Sequence, residues 1–211
     1  MIPPDACLAF STHADAAGQP VPPELARGSA RRRLDYQAGR RAAAEALAGL
    51  KGRPAAVGRG PDGAPVWPDG IVGAISHAGG RAVALVGNAA HYAGLGVDLE
   101  TIVARPDEIA PVLLTKAEAA RLPHDALHIT LAFSAKESLF KALYPTLRRF
   151  FGLEAAEVVS LDASGGVLRL CQPLGPWPNG ARFGFGWAVI DGQVLTTLAA
   201  PHARRVAPPS T

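Results

Sequence analysis

The sequence predicts an α+β fold, and three observations carry that expectation. Each half holds one long helical stretch, about residues 23–50 and 126–144, with short runs rich in β-branched and apolar residues after it. Those runs are broken by Gly and Pro in a way that suits antiparallel turns, and no regular strand-helix-strand alternation requires a parallel sheet. At 211 residues with 48% hydrophobic side chains, the chain can fill one large core, or two small ones that share an interface.

Residues 6–10 read as a short strand and 14–23, rich in small residues, Gly and Pro, as a loop. The first long helix is expected from Pro23 or Glu24 to about Leu50, and its Ala-rich end has high intrinsic propensity. Gly39 in its middle costs about 1 kcal/mol against Ala, so it marks close packing against another backbone or a ligand. Arg32 and Arg40 on the same helix are separated by about 12 Å along the axis and lie within a quadrant around it. They could grip one polyanion from two sides, although a solvated basic face paired with Asp35 and Glu45 would leave the same pattern.

The segment 61–70 has Pro or Gly at nearly every second position and reads as a loop with a small hairpin. Residues 71–77 then form a strand ending in the polar pair Ser76-His77, with 81–86 as its neighbour. In the next strand, 92–100, alternation puts Asp98 and Glu100 on one face and Leu99 on the other. Arg105-Pro106 opens a helix to about Leu114, and Thr115-Lys116-Ala117-Glu118 is a capping-box pattern.

The second long helix is expected over 126–144, ended by Pro145. On a 3.6-residue period Leu131, Ala135, Leu139 and Ala142 share one stripe, while Phe133, Glu137, Lys141 and Tyr144 share the opposite one. One face packs and the other carries charge. Strand-like runs follow at 158–161, 167–171, 183–190 and 194–199, the last two joined by a turn at Asp191-Gly192. The proline-rich tail 204–211 is expected to be frayed.

If the Asp98 strand packs on the second helix, Asp98, Glu100 and Glu137 converge. Three carboxylates suit a hard divalent cation such as Mg2+, with a phosphate ligand and waters completing its shell. A surface ion pair between Glu137 and Lys141, worth only about 0.2–0.5 kcal/mol, is the plainer reading of that helix.

Gly96-Val97-Asp98-Leu99-Glu100, followed by Phe133-Ser134-Ala135-Lys136-Glu137-Ser138-Leu139-Phe140-Lys141, resembles the paired signatures of the 4'-phosphopantetheinyl transferases of the surfactin/enterobactin-synthetase class. The resemblance implies Mg2+-dependent transfer of phosphopantetheine from coenzyme A to a serine of an apo acyl, peptidyl or aryl carrier protein, releasing adenosine 3',5'-bisphosphate. It implies Asp98, Glu100 and Glu137 as metal ligands, with Glu137 as a candidate general base, and Lys141 and Lys136 as cations toward the leaving group. Arg32-Arg33-Leu34-Asp35 with Gly39-Arg40 matches the family's basic helix, which places Arg32 and Arg40 on the 3'-phosphate. Ser76-His77 matches its pair for the diphosphate. Four positions depart from the family pattern: Asp35 for Glu, Ala64 for a frequent Lys, Ala74 for a common Ser, and Phe133 for Trp. The implied architecture is a pseudo-dimer of two similar subdomains, 1–102 and 103–211, with coenzyme A in the cleft between them.

Other readings of the same residues are a non-catalytic carrier-protein or coenzyme A binding module, and a Mg2+-dependent phosphohydrolase that uses water as nucleophile. A formal charge of +3 and a pI near 9.1 fit an acidic partner, and no nucleic-acid binding is expected. Cys7 and Cys171 have no metal-ligand spacing and are expected as free thiols. No apolar run approaches the roughly 20 residues needed to span a bilayer, and Pro3-Pro4-Asp5 is unlike a secretory signal, so a soluble, cytoplasmic monomer is expected.

Overall fold

Strand β1 (Ala6–Thr12) ends where Thr12 caps the single-turn helix α1 (His13–Ala16), its hydroxyl accepting from Asp15 N–H and the Asp15 carboxylate accepting in return from Thr12 N–H. The computed structural model describes residues 2–202, so the tail expected to fray at 204–211 lies outside the described residues. A second single turn, α2 (Pro23–Ala26), stands apart from the long helix α3 (Ala30–Lys51). The sequence predicts these as one helix. They are two because Ser29 takes the N-cap position, its hydroxyl accepting from Arg32 N–H at 3.2 Å, and this local bond outcompetes continuation through Gly28.

The expected small hairpin is the pair β2 (Gly58–Arg59) and β3 (Pro65–Val66). It precedes β4 (Ile71–Ala78), β5 (Arg81–Asn88) and β6 (Gly94–Thr101). Helix α4 (Pro106–Leu113) and the single turn α5 (Lys116–Ala119), capped by the reciprocal Thr115/Glu118 box, lead to α6 (Ala126–Leu147). Strands β7 (Ala156–Leu161), β8 (Gly165–Leu170), β9 (Arg182–Ile190) and β10 (Gln193–Ala200) complete the described chain. Helix α6 runs past Pro145, where the sequence predicts its end. In the last turn the proline forfeits only its own N–H bond, and the helix closes when left-handed Arg148 donates its N–H to Tyr144 O at 2.8 Å.

The strands make two main antiparallel sheets, ordered β1-β5-β4 and β6-β10-β9-β8-β7. Each sheet carries one 22-residue helix, α3 on the first and α6 on the second, so the fold is mixed helix and antiparallel sheet. The boundary expected from sequence at residue 102 puts strand β6 in the first part of the chain. The strand pairs with β10 along its whole length, from Gly94↔Ala200 to Thr101↔Gln193, and so belongs to the second sheet. Its odd-numbered residues Leu95, Val97 and Leu99 pack with Ala74, Val83 and Leu85 of the first sheet, so β6 also seals the junction between the sheets.

The even-numbered face of β6 meets α6, and two glycines set how closely. A Cβ on Gly94 would stand 2.0 Å from Ala142 O, and one on Gly96 would stand 1.8 Å from Ser138 O. Only bare backbone lets the helix lie this close, and Asp98 is the next residue on that face. The hydroxyls of Ser134 and Ser138, both buried, meet Thr196 Oγ1 at 2.9 and 2.7 Å and staple α6 to β10. Gly39 of α3 is likewise a site of close approach. Its neighbour is the Ile75 side chain on β4, 2.9 Å from where a Cβ would sit, rather than another backbone. Among the described residues, no helix is long and apolar enough to cross a membrane, and Cys7 and Cys171 are free thiols.

Candidate active site

Where β4, β6 and α6 meet, three side chains close a triangle. Asp98 on β6 is 2% exposed, and its Oδ1 accepts from Lys141 Nζ at 2.6 Å and from Ser76 Oγ at 2.8 Å. Lys141 Nζ also donates to Ser76 Oγ at 3.0 Å, so Ser76 sits with the carboxylate cluster. The other carboxylate oxygen, Asp98 Oδ2, is buried and has no hydrogen-bond partner. Burying such an atom unpaired is costly, which makes it the natural acceptor for an arriving cation.

Glu100 and Glu137 stand within electrostatic range of Asp98. Burial, then the Asp98 charge, and lastly Glu137 push the Glu100 carboxyl up to about 7, with Lys141 opposing. Burial also raises Glu137, opposed by Lys141 and reinforced by Asp98. The residues do not form a finished ligand cage: among those described, no three His, Cys, Asp or Glu side chains are arranged to hold a metal ion, and Lys141 takes one Asp98 oxygen. The donor set nevertheless fits a dication, because three acidic groups face one ammonium and one buried oxygen is orphaned.

A pH dependence follows. Burial and the neighbouring Asp98 charge hold the Glu100 carboxyl up at about 7 in the folded chain, against about 4.5 for the free side chain. The penalty for ionising buried Glu100 is therefore absent below 4.5 and complete above 7, so the metal-free protein loses stability from this group as pH rises. A carboxylate must be deprotonated to ligate, so if Glu100 holds a divalent cation, its affinity should rise about tenfold per pH unit below 7 and level off above it. Titration calorimetry with Mg2+ between pH 6 and 8 measures this slope.

On α3 the two candidate phosphate-binding arginines differ. Arg32 is exposed and, among the described residues, its side chain has no ion-pair partner. Arg40 lies with its guanidinium carbon 4.6 Å over the Tyr36 ring and donates from Nη2 to Gly58 O at 3.0 Å, while its Nε is buried without a partner. The two carboxylates of this helix pair with side chains other than Arg32 and Arg40. Glu45 pairs with Arg41 at 2.9 Å, and Asp35 pairs with His13 at 2.8 Å, with Arg31 and His77 each at 3.9 Å. His77, at the end of β4, keeps a side chain 52% exposed.

Lys136, expected among the cofactor contacts, is not brought to the Asp98–Lys141–Ser76 cluster but borders a cavity beside Glu137. Adjacent helical residues project about 100° apart, and here Lys136 turns inward while Glu137 turns toward Asp98 and Lys141. The Lys136 ammonium, 2% exposed, donates to Leu113 O at 3.0 Å and to Glu118 Oε2 at 2.8 Å. Glu118 is fully buried and also accepts from Thr115 N–H and Val158 N–H, so the pair ties α4, α5 and β7 to α6.

Beside Glu137 lies a feature that sequence reasoning missed. A cavity of about 160 Å3, lined mainly by apolar side chains, is bounded by Glu137, Phe140, Phe150, Phe151 and Leu153. The Phe140 ring centroid lies 5.6 Å from that of Phe150 and 5.2 Å from that of Phe151, each pair tilted at 53°. Phe150 is 78% exposed and follows the exposed Arg148 and Arg149. The available signal was the sequence Arg148-Arg149-Phe150-Phe151 directly after a helix end.

Comparison with known proteins agrees across both halves. Residues 22–87 match the family model of the 4'-phosphopantetheinyl transferase N-terminal domain, and residues 94–185 match that of the 4'-phosphopantetheinyl transferase superfamily. The second match begins at the first residue of β6. The chain is 32% identical over 190 residues to the 4'-phosphopantetheinyl transferase Npt of Nocardia iowensis, covering 83% of this chain and 85% of that protein. It is 38% identical over 186 residues to the 4'-phosphopantetheinyl transferase Svp of Streptomyces mobaraensis, covering 83% and 75%. Enterobactin synthase component D of Salmonella typhi is 33% identical over 185 residues, covering 82% and 76%.

Proposed function

The chain belongs to the 4'-phosphopantetheinyl transferase superfamily and is a transferase of that class, and on this premise we propose that it moves phosphopantetheine from coenzyme A to a serine hydroxyl of an apo carrier protein, using Mg2+ held by Asp98, Glu100 and Glu137. The observation that carries the proposal is the unpartnered, buried Asp98 Oδ2 beside Glu100, Glu137 and Lys141. Bound there, the cation supplies charge neutralisation and alignment at the diphosphate. Lys141, steadied by Asp98 and Ser76, offsets charge on the departing adenosine 3',5'-bisphosphate. Glu137, raised by burial, can take the serine proton, a role that competes with ligation because a metal-bound carboxylate is a weaker base. His77 is exposed enough to donate to the diphosphate.

Two helix-on-sheet halves support a pseudo-dimeric architecture with the donor in the cleft between them. The apolar cavity beside Glu137 suits the pantetheine arm, and the rim of Phe150, Arg148 and Arg149 suits an acidic carrier. Free Cys7 and Cys171 support a reducing, cytoplasmic setting.

Arg32 and Arg40 supply planar donor forks for the 3'-phosphate, the group that dephospho-coenzyme A lacks. Wild type should favour coenzyme A over dephospho-coenzyme A. Arg40→Ala should narrow that preference roughly tenfold to a hundredfold, the worth of a charge-assisted hydrogen bond of about 1.5–3 kcal/mol. An unchanged ratio of kcat/KM for the two donors would remove Arg40 from the donor site.

A further inference from the structure

The β2–β3 hairpin is a separate two-stranded unit whose turn is organised by Asp62. One carboxylate oxygen accepts from Ala64 N–H at 3.1 Å, and Gly63 next to it takes the left-handed conformation at φ 86°. The second oxygen points out of the turn and accepts from Tyr144 Oη at 2.7 Å, joining residues 82 positions apart. The bond marks both partners. The Tyr144 hydroxyl holds the Asp62 carboxyl below its ordinary value, and Asp62 in turn raises the Tyr144 hydroxyl.

Tyr144 lies on the stripe of α6 that carries Glu137 and Lys141. At its other end the hairpin meets α3, where Gly58 O accepts from Arg40 Nη2 at 3.0 Å. The hairpin therefore spans the two helices that carry the proposed donor-binding groups, fastened to α3 through Arg40 and to α6 through Tyr144. Neither Asp62 nor Tyr144 has a part in the chemistry proposed above.

We propose that Asp62 and Tyr144 are positioning residues for the donor substrate, their hydrogen bond pinning the hairpin, and through Gly58 O the guanidinium of Arg40, in the geometry that receives a nucleotide phosphate. The inference rests on the donor-site reading of Arg40. A hairpin released from α6 leaves the Gly58 carbonyl mobile, so Arg40 must be ordered when the phosphate arrives, and affinity falls by that ordering cost. An exposed bond contributes little to global stability, so the effect belongs to binding.

The test is Tyr144→Phe, which removes one hydroxyl. Its Kd and KM for coenzyme A should rise about threefold to tenfold, the worth of one hydrogen bond at the surface. The values for dephospho-coenzyme A should change less than about twofold, as should kcat, and Tm should be unchanged. Asp62→Ala should reproduce the shift, with the double variant no worse than either single one, whereas Asp62→Asn, which keeps an acceptor oxygen, should restore most of it. Amide exchange at Gly60 and Ala64 should accelerate in Tyr144→Phe. Unchanged coenzyme A affinity in both Tyr144→Phe and Asp62→Ala overturns the proposal, as does an equal loss for both donors. A wild type that does not distinguish the two donors instead overturns the donor-site reading, and this inference with it.

Discussion

Asp98→Ala should lower transfer by about a hundredfold to a thousandfold, the scale on which removal of one preorganised electrostatic group acts, while leaving a folded protein. The substitution takes away the orphaned oxygen proposed to bind the cation, and the oxygen that orients both Lys141 and Ser76. The fold should persist because the Lys141 side chain is 23% exposed and its ammonium can turn to water. Turnover followed by intact mass of the carrier, beside circular dichroism of the variant, measures both. Near wild-type turnover in a well-folded Asp98→Ala would contradict the metal assignment.

Lys136→Met should act in the opposite way, on stability rather than on the donor. It leaves Glu118, fully buried, without its ammonium partner, and breaking a buried pair from one side costs about 3–5 kcal/mol. Its folded fraction should bind coenzyme A nearly as wild type does, because the Lys136 ammonium is bonded at the junction of α4, α5 and β7, although the side chain also borders the cavity beside Glu137. Adding Glu118→Gln should recover part of the loss, since the stranded charge goes with it. Denaturant unfolding and titration calorimetry separate the two effects. An unaltered unfolding midpoint with weakened coenzyme A binding would return Lys136 to the donor site.

The pair Lys136-Glu137 shows where the sequence stops being legible. Both residues fall in one motif, and the helical period separates a packed stripe from a charged one, yet Ser134, Lys136 and Ser138 are all buried between them. Which of two adjacent charges turns inward depends on Glu118, whose capping box is readable locally but whose burial is not. Alternation on β6 was readable because strand geometry has period two, and Asp98 and Leu99 do lie on opposite faces. Its sheet was not, because pairing with β10 is a contact across nearly half the chain and leaves no local trace. The split between α2 and α3 turned on one serine cap, and the end of α6 on one left-handed arginine. Both are local choices that average propensity obscures. The Asp62–Tyr144 bond joins two residues unremarkable in their own segments, and only folding brings them together.

The most direct test of phosphopantetheine transfer is the intact mass of an apo carrier protein after incubation with coenzyme A, with and without Mg2+, and with coenzyme A alone as control. The carrier should gain one phosphopantetheine, with adenosine 3',5'-bisphosphate appearing in equal amount, only when carrier, coenzyme A and Mg2+ are all present. Cleavage of coenzyme A without a carrier, or binding with no modified carrier across a panel of acyl, peptidyl and aryl carriers, would contradict it.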